Sequence, residues 1–187
     1  MIALGYMLKK VVPPPDWLMK AFGDRPNPIE AVYALSNCVS ADFADYIHLW
    51  KHNGWWLFDN PDILRAAAVE EGVDPAPLTL FYYEAYEEEY DAGTWRAIAP
   101  EASFTTAVRI PVRKTLCGYD VVTFWAGTSP ECSQLSCCCL ASETQVNRFC
   151  LFDRFEDARD FAQSPLCEEG EPGPYRVIAV YRPELDQ

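Results

Sequence analysis

Half of the cysteines in the chain, four of eight, lie in the segment PECSQLSCCCLA at residues 130–141. Thiols at this density could bind a metal ion, form a redox pair, supply a nucleophile or pack as small apolar side chains. A structural zinc site needs four ligands, and its cysteines usually come in two closely spaced pairs. The best candidate set is Cys132, Cys137, Cys150 and Cys167. Because sixteen residues separate Cys150 from Cys167, the second close pair is missing, and we expect these thiols to pack in the core without a metal ion.

Two histidines, His48 and His52, are the only imidazoles that could activate a cysteine nucleophile. Residues 41–53 have helical periodicity with Ser40 as a predicted N-cap, and Asp45 lies on the same polar face as the histidines. His-x-x-x-His spacing can bind zinc, but HLWKH lacks the glutamate of the HExxH motif. We therefore expect a solvated helix face, and we predict no catalytic residue and no cofactor.

The chain is strongly acidic, with 28 acidic and 15 basic residues and a net charge of −13. Carboxylates are concentrated at residues 84–91, and two adjacent tryptophans at a predicted helix end are difficult to bury together. A field of this sign steers a basic partner and repels a phosphate backbone, so we expect no nucleic-acid binding. The predicted partner-binding residues are Glu84, Glu87, Glu88, Glu89, Asp91, Trp55 and Trp56.

Targeting signals are not evident in the chain. The N-terminus MIALGYMLKK has its lysines after a short apolar run, which is the reverse of a signal peptide. No uncharged apolar stretch reaches the length of about 18 residues that spans a bilayer. We expect a cytoplasmic protein with reduced thiols and no membrane contact.

Helical signals precede strand signals along the chain. Residues 1–27 predict an extended, proline-rich lead-in, and residues 28–73 predict mainly helices. The clearest helix is PDILRAAAVEEG, with Asn60 as its N-cap and Gly72 after its end. Residues 78–187 predict mainly strands, at 78–90, 104–113, 119–125 and 175–181, with one helix near 154–163 that Asp153 would cap.

This order of elements indicates an α+β fold in a single domain, residues 1–187, with a largely antiparallel sheet of about four to five strands. No internal repeat is evident. We expect a non-enzymatic acidic module that occupies a basic protein partner, as an inhibitor or immunity-type protein does. Two alternatives stay open: a small enzyme with a site assembled from distant histidines and carboxylates, and a zinc-stabilised structural domain. The chain has no Walker, Rossmann, GxSxG or HExxH motif, which argues against an enzyme.

Overall fold

A computed structural model describes residues 1–43, 52–124 and 129–184. In these ranges, five strands form one antiparallel sheet in the order β1-β2-β5-β4, with β3 paired to β2. This confirms the predicted α+β class and the number of strands. The strands are β1 (Ile2–Lys9), β2 (Thr79–Asp91), β3 (Thr94–Ala97), β4 (Lys114–Thr123) and β5 (Tyr175–Pro183), and the helices are α1 (Asp16–Ala21), α2 (Pro61–Glu70) and α3 (Phe155–Ala162).

The prediction for the N-terminal third is wrong in most of its detail. Residues 1–27 are not a lead-in, because they contain β1 and α1. β1 is apolar because it pairs with β2 and buries six of its eight residues. Residues 28–43 are irregular, and α2 is the one helix that the structure describes between residues 28 and 73. The helix predicted at 41–53 is absent from both of its described ends, and its middle, residues 44–51, lies outside the described residues.

The cap signals were informative for one helix and misleading for two other segments. Asn60 caps α2, since its side-chain oxygen accepts bonds from the amides of Asp62 and Ile63. Ser40 caps no helix, and its hydroxyl donates to the carbonyl of Val32 at 2.6 Å. Asp153 does not cap α3, because its carboxylate accepts a bond from the Asn147 side chain. Short polar side chains at a loop end can bond to more than one neighbour, so their type alone does not select the partner.

Three of the four predicted strands are confirmed, as β2, β4 and β5, although β4 ends at Thr123. Residues 104–113 were predicted as a strand and form none. This segment bonds to Asp59 instead: the amide of Arg109 donates to its carbonyl at 2.8 Å and the amide of Ala107 to its carboxylate at 3.1 Å. Alternating apolar residues also suit an extended loop that lies against the protein, so the period of two did not identify a sheet strand.

The chain consists of two similar halves, so the expectation that it has no internal repeat is wrong. Each half contains a bulged strand (β1 or β4), a loop with the pattern N-x-x-x-L-F-D, a helix (α2 or α3) and a second long strand (β2 or β5). The loops are residues 53–59 and 147–153, and the bulges precede Gly5 and Gly118. Identical residues are few, and the segment between glycine and loop differs in length, which hides the repeat from sequence inspection.

The repeated glycines allow each loop to cover a sheet edge. Gly5 and Gly118 have φ of +134° and +145°, and a Cβ at either position would lie 2.6 Å from the carbonyl oxygen of Phe58 or Phe152. Such conformations and approaches are open only to glycine. The adjacent tyrosine of each strand exchanges backbone hydrogen bonds with that phenylalanine. Both edge strands are therefore paired along part of their length, as exposed edges must be to prevent aggregation.

The two halves are related by a pseudo-twofold axis between β2 and β5. Tyr83 pairs with Val180, and the flanking pairs, Tyr82 with Tyr181 and Glu84 with Ala179, exchange under this symmetry. Beyond the glycine bulges, each edge strand also pairs with a second loop of its own half. Lys9 of β1 pairs with Asp42, and Val122 of β4 pairs with Ser133. These second loops, residues 32–43 and 129–142, meet each other and carry the candidate site.

Candidate metal centre

Three cysteine side chains converge where the two halves meet. Cys38 comes from the first half, and Cys132 and Cys137 come from the second. All three sulfur atoms lie within 4.8 Å of one another, and the Sγ atoms of Cys38 and Cys132 are 3.5 Å apart. Cys38 is exposed and the other two are half-buried. We name this set the three-thiol cluster.

A buried lysine holds the loop that carries Cys38. The Lys9 side chain, at the end of β1, is fully buried and forms an ion pair with Asp42 at 2.7 Å. Its ammonium group also donates to the carbonyls of Leu35 and Ser36 and to the Asn37 side chain, at 2.9 to 3.0 Å. These acceptors immediately precede Cys38 in sequence, so Lys9 determines where the exposed thiol lies.

The edge of β4 positions the other two thiols. The amide of Cys132 donates to the hydroxyl of Thr123, whose own amide donates to the Cys132 carbonyl at 2.9 Å. Cys137 follows a tight turn in which its amide donates to the carbonyl of Ser133 at 2.9 Å. Both thiols are thus attached to one backbone segment that pairs with the sheet.

Ser36 and Ser133 join the two loops beneath the thiols. The Ser36 hydroxyl lies 3.4 Å from the Cys137 sulfur and accepts a bond from the Ser133 amide at 3.3 Å. The Ser133 hydroxyl donates to the Asp120 carboxylate at 2.7 Å. The three-thiol cluster therefore lies above a polar core to which both halves contribute.

The thiols affect one another's pKa. A hydrogen bond with Cys137 lowers the pKa of Cys38 and raises that of Cys137, which burial raises further. Burial raises the pKa of Cys132 to about 11. Burial also lowers the pKa of Lys9, while the charges of Asp42, Cys137 and Cys38 act to raise it. The exposed Cys38 is thus the first of the three to become a thiolate, and a cation close to the cluster favours that form.

Two further buried groups belong to this polar core. Burial raises the pKa of Asp120 to about 7, and one of its carboxylate oxygens has no hydrogen-bond partner among the described residues. The Tyr83 hydroxyl also lacks a partner there, and burial raises its pKa well above the usual value. Unpaired buried polar atoms are rare and often accompany function.

The spacing of the three sulfurs suits a metal ion. Zinc–thiolate bonds are about 2.3 Å long, which places the sulfurs of a tetrahedral site roughly 3.8 Å apart. The observed separations, from 3.5 Å to at most 4.8 Å, bracket this value.

Of the four metal ligands considered from sequence, the structure brings only two together. Cys132 and Cys137 belong to the cluster, but Cys150 and Cys167 do not, since both are buried among apolar side chains of the core. Burial raises the pKa of both thiols, as expected for cysteines that only pack. Cys38 was missed because it lies 94 residues before Cys132, and no local spacing connects the two.

The histidine face predicted from sequence is not supported. His52 is buried, lies against the rings of Trp56 and Phe58, and has a pKa lowered by burial. It was expected on a solvated face and instead packs in the core. Asp45 and His48 lie outside the described residues.

Of the two tryptophans predicted as partner anchors, Trp55 is buried and Trp56 is half-buried. Trp55 is only 4% exposed, so it cannot serve as a surface anchor. The indole nitrogen of Trp56 donates to Glu101 at 3.0 Å. Trp56 lies in the repeated loop with a φ of +62°, in the left-handed region.

The predicted acidic surface is partly structural. Glu89 is buried and forms ion pairs with Arg176 and Arg96, both at 2.9 Å. Glu84 pairs with Lys114. Glu88 accepts a bond from the Tyr86 hydroxyl, and Asp91 pairs with Arg96. Of these five carboxylates, Glu87 alone is exposed, so residues 84–91 present much less negative charge to solvent than their sequence implies.

In the described ranges, no helix has both the length and the apolar character needed to cross a membrane.

Comparison of the chain with models of protein families, with curated proteins and with solved structures found no match.

Proposed function

We propose that the protein binds a thiophilic metal ion, Zn²⁺ or Cu(I), through the thiolates of Cys38, Cys132 and Cys137. The observation that supports this is the convergence of three sulfurs within 4.8 Å from two loops of different halves. Thiolates select Cu(I) and zinc over hard cations. The proposal departs from the sequence-based expectation that Cys132 and Cys137 only pack.

A site with three protein ligands fits an ion that can exchange better than an ion with a structural role. Structural zinc is usually enclosed by four protein ligands, whereas a site with three keeps a position for water or another molecule. Cys38 is exposed, so the ion would be accessible from solvent. The Lys9 ammonium would offset part of the negative charge that three thiolates bring. The protein has two extensive apolar clusters, each with residues of both halves, so folding should not require the ion.

Metal titration of the reduced protein tests the proposal. Cd²⁺ reports thiolate binding through its ultraviolet charge-transfer band, and competition with chromophoric chelators measures the affinities for Zn²⁺ and Cu(I). We expect one ion per chain. Replacement of any one of the three cysteines by serine should weaken binding by more than about 100-fold, because one of three ligands is lost.

The matched control is Cys117→Ser, because Cys117 is half-buried and lies outside the three-thiol cluster. This variant should bind the ion as the wild type does. Equal affinity of Cys38→Ser and wild type would contradict the proposal, as would wild-type protein that takes up no ion while fully reduced.

We also retain, as a separate proposal, the binding of a basic protein partner. Its support is the net charge of −13 and the exposed Glu87 in the acidic run. Affinity capture at low salt, followed by identification of a basic protein at one-to-one stoichiometry, tests it. A capture that salt does not weaken would contradict an electrostatic mechanism.

A further inference from the structure

Cys38 and Cys132 of the three-thiol cluster are close enough to be considered as a disulfide pair. Their sulfurs lie 3.5 Å apart, and a disulfide needs about 2.05 Å. The pair joins the two halves of the chain through loops, not through the sheet, so a small loop displacement can close this gap.

Access to the pair is asymmetric. Cys38 is exposed, whereas Cys132 is half-buried. A reagent from solvent therefore meets Cys38 first, and Cys132 is placed to complete the reaction. This is the arrangement of an attacking and a resolving thiol.

We propose that a low-molecular-weight disulfide oxidises Cys38 and Cys132 to an intramolecular disulfide, and that this bond and a bound metal ion exclude each other. The exclusion rests on the proposed function, because the bond consumes two of the three ligands. Oxidation then releases the ion, and a bound ion protects the thiols.

The reaction proceeds in two exchange steps. The Cys38 thiolate attacks one sulfur of the small disulfide, forms a mixed disulfide and expels one small thiolate. The Cys132 sulfur, losing its proton, then attacks the Cys38 sulfur and expels the second small thiolate. Two protein thiols are oxidised and one small disulfide is reduced to two thiols, so electrons and protons balance.

Oxidation of the metal-free protein by glutathione disulfide tests the bond. We expect the intact mass to fall by about 2 Da, the mass of two hydrogens, as an intramolecular disulfide requires. Peptide mapping should link Cys38 to Cys132. The variants Cys137→Ser and Cys117→Ser should form the same link, and Cys38→Ser should not. A link between other cysteines, or a stable mixed disulfide at Cys38 in the wild type, would overturn the proposal.

Binding of Cd²⁺ and Zn²⁺ measures whether the disulfide and a bound metal ion exclude each other. The oxidised protein should bind either ion more than about 100-fold more weakly than the reduced protein, and a reductant should restore binding. One equivalent of Zn²⁺ should slow oxidation of the wild type. Unchanged affinity after oxidation would overturn the exclusion. If the reduced protein binds no ion, the proposed function and the exclusion both fail, while the mass and peptide map still decide whether the bond forms.

Discussion

Asn53 and Asn147 form the same side-chain hydrogen bonds in the two halves of the chain. Each side-chain oxygen accepts hydrogen bonds from the backbone amides two and four residues later, at 2.9 and 3.3 Å. Each side-chain nitrogen donates to the carbonyl before the bulge glycine and to the aspartate that ends the loop. One side chain thus closes each loop and attaches it to its edge strand.

Replacement of either asparagine by alanine should destabilise the protein. Two loop amides and one strand carbonyl would lose their partners, and each unsatisfied buried group costs about 1–3 kcal/mol. We expect losses of roughly 3 kcal/mol or more, larger for Asn53 because it is buried and Asn147 is half-buried. Urea unfolding measures both. Thr105→Ala, at an exposed position, is the control and should change stability by less than about 0.5 kcal/mol; an equally small effect at Asn53 would contradict the role assigned to it.

Lys9→Met should be strongly destabilising, whereas Lys10→Met should not. Lys9 is fully buried against Asp42 and two carbonyls, while Lys10 is exposed, so the same substitution samples both environments. Removal of one partner from a buried ion pair typically costs about 3–5 kcal/mol. Chemical denaturation gives the difference between the variants. If Lys9→Met folds, Cd²⁺ should bind more weakly to it, because the loop before Cys38 is released; similar stability of both variants would refute this account of Lys9.

Asp120 should make stability depend on pH. Its pKa in the folded protein is about 7, above the ordinary value of 3.8, because it is buried. The folded state therefore binds this proton more tightly than the unfolded state does, and the stability associated with it is complete below about pH 4 and lost as the pH rises through 7. Hydrogen bonds with the Ser133 side chain and with the backbone of Val121 and Leu35 limit this shift, and the charge of Lys9 limits it further.

The comparison of wild type with Asp120→Asn isolates this contribution. Between pH 5 and pH 8 the free energy of unfolding of the wild type should fall more than that of Asp120→Asn, measured by urea unfolding at each pH. The lowered pKa of His52 acts in the opposite direction, and it is common to both proteins. Parallel curves would show that Asp120 does not titrate in this range.

Glu89 and Glu87 should respond differently to neutralisation. Glu89→Gln should cost about 3–5 kcal/mol, because it leaves the buried Arg176 guanidinium without its counter-charge. Glu87→Gln should change stability by less than about 0.5 kcal/mol, as is usual at an exposed position. If a basic partner is captured, Glu87→Gln should slow its association at low salt with little effect on dissociation. A large loss of stability at Glu87, or none at Glu89, would contradict the burial that distinguishes them.

The sequence by itself determined the features that depend on neighbouring residues. The α+β class, α2 with its Asn60 cap, α3, and the strands β2 and β5 follow from local periodicity and composition, because a helix or a buried strand must place its apolar residues at its own period. The placement of Cys150 and Cys167 in the core also follows from the general burial of free cysteine.

Only the tertiary structure decided which distant residues come together. Cys38 joins Cys132 and Cys137 because two loops meet between the halves of a duplicated sheet, and the burial of Trp55 and Glu89 likewise depends on contacts far away in sequence. The repeat is difficult to detect in the sequence because its identical residues form two short patterns, Gly-Tyr in each edge strand and N-x-x-x-L-F-D in each loop, which segments of different length separate in the two halves. The rest of the repeat is a bulge and a pairing register, and these are properties of backbone geometry that many different side chains satisfy.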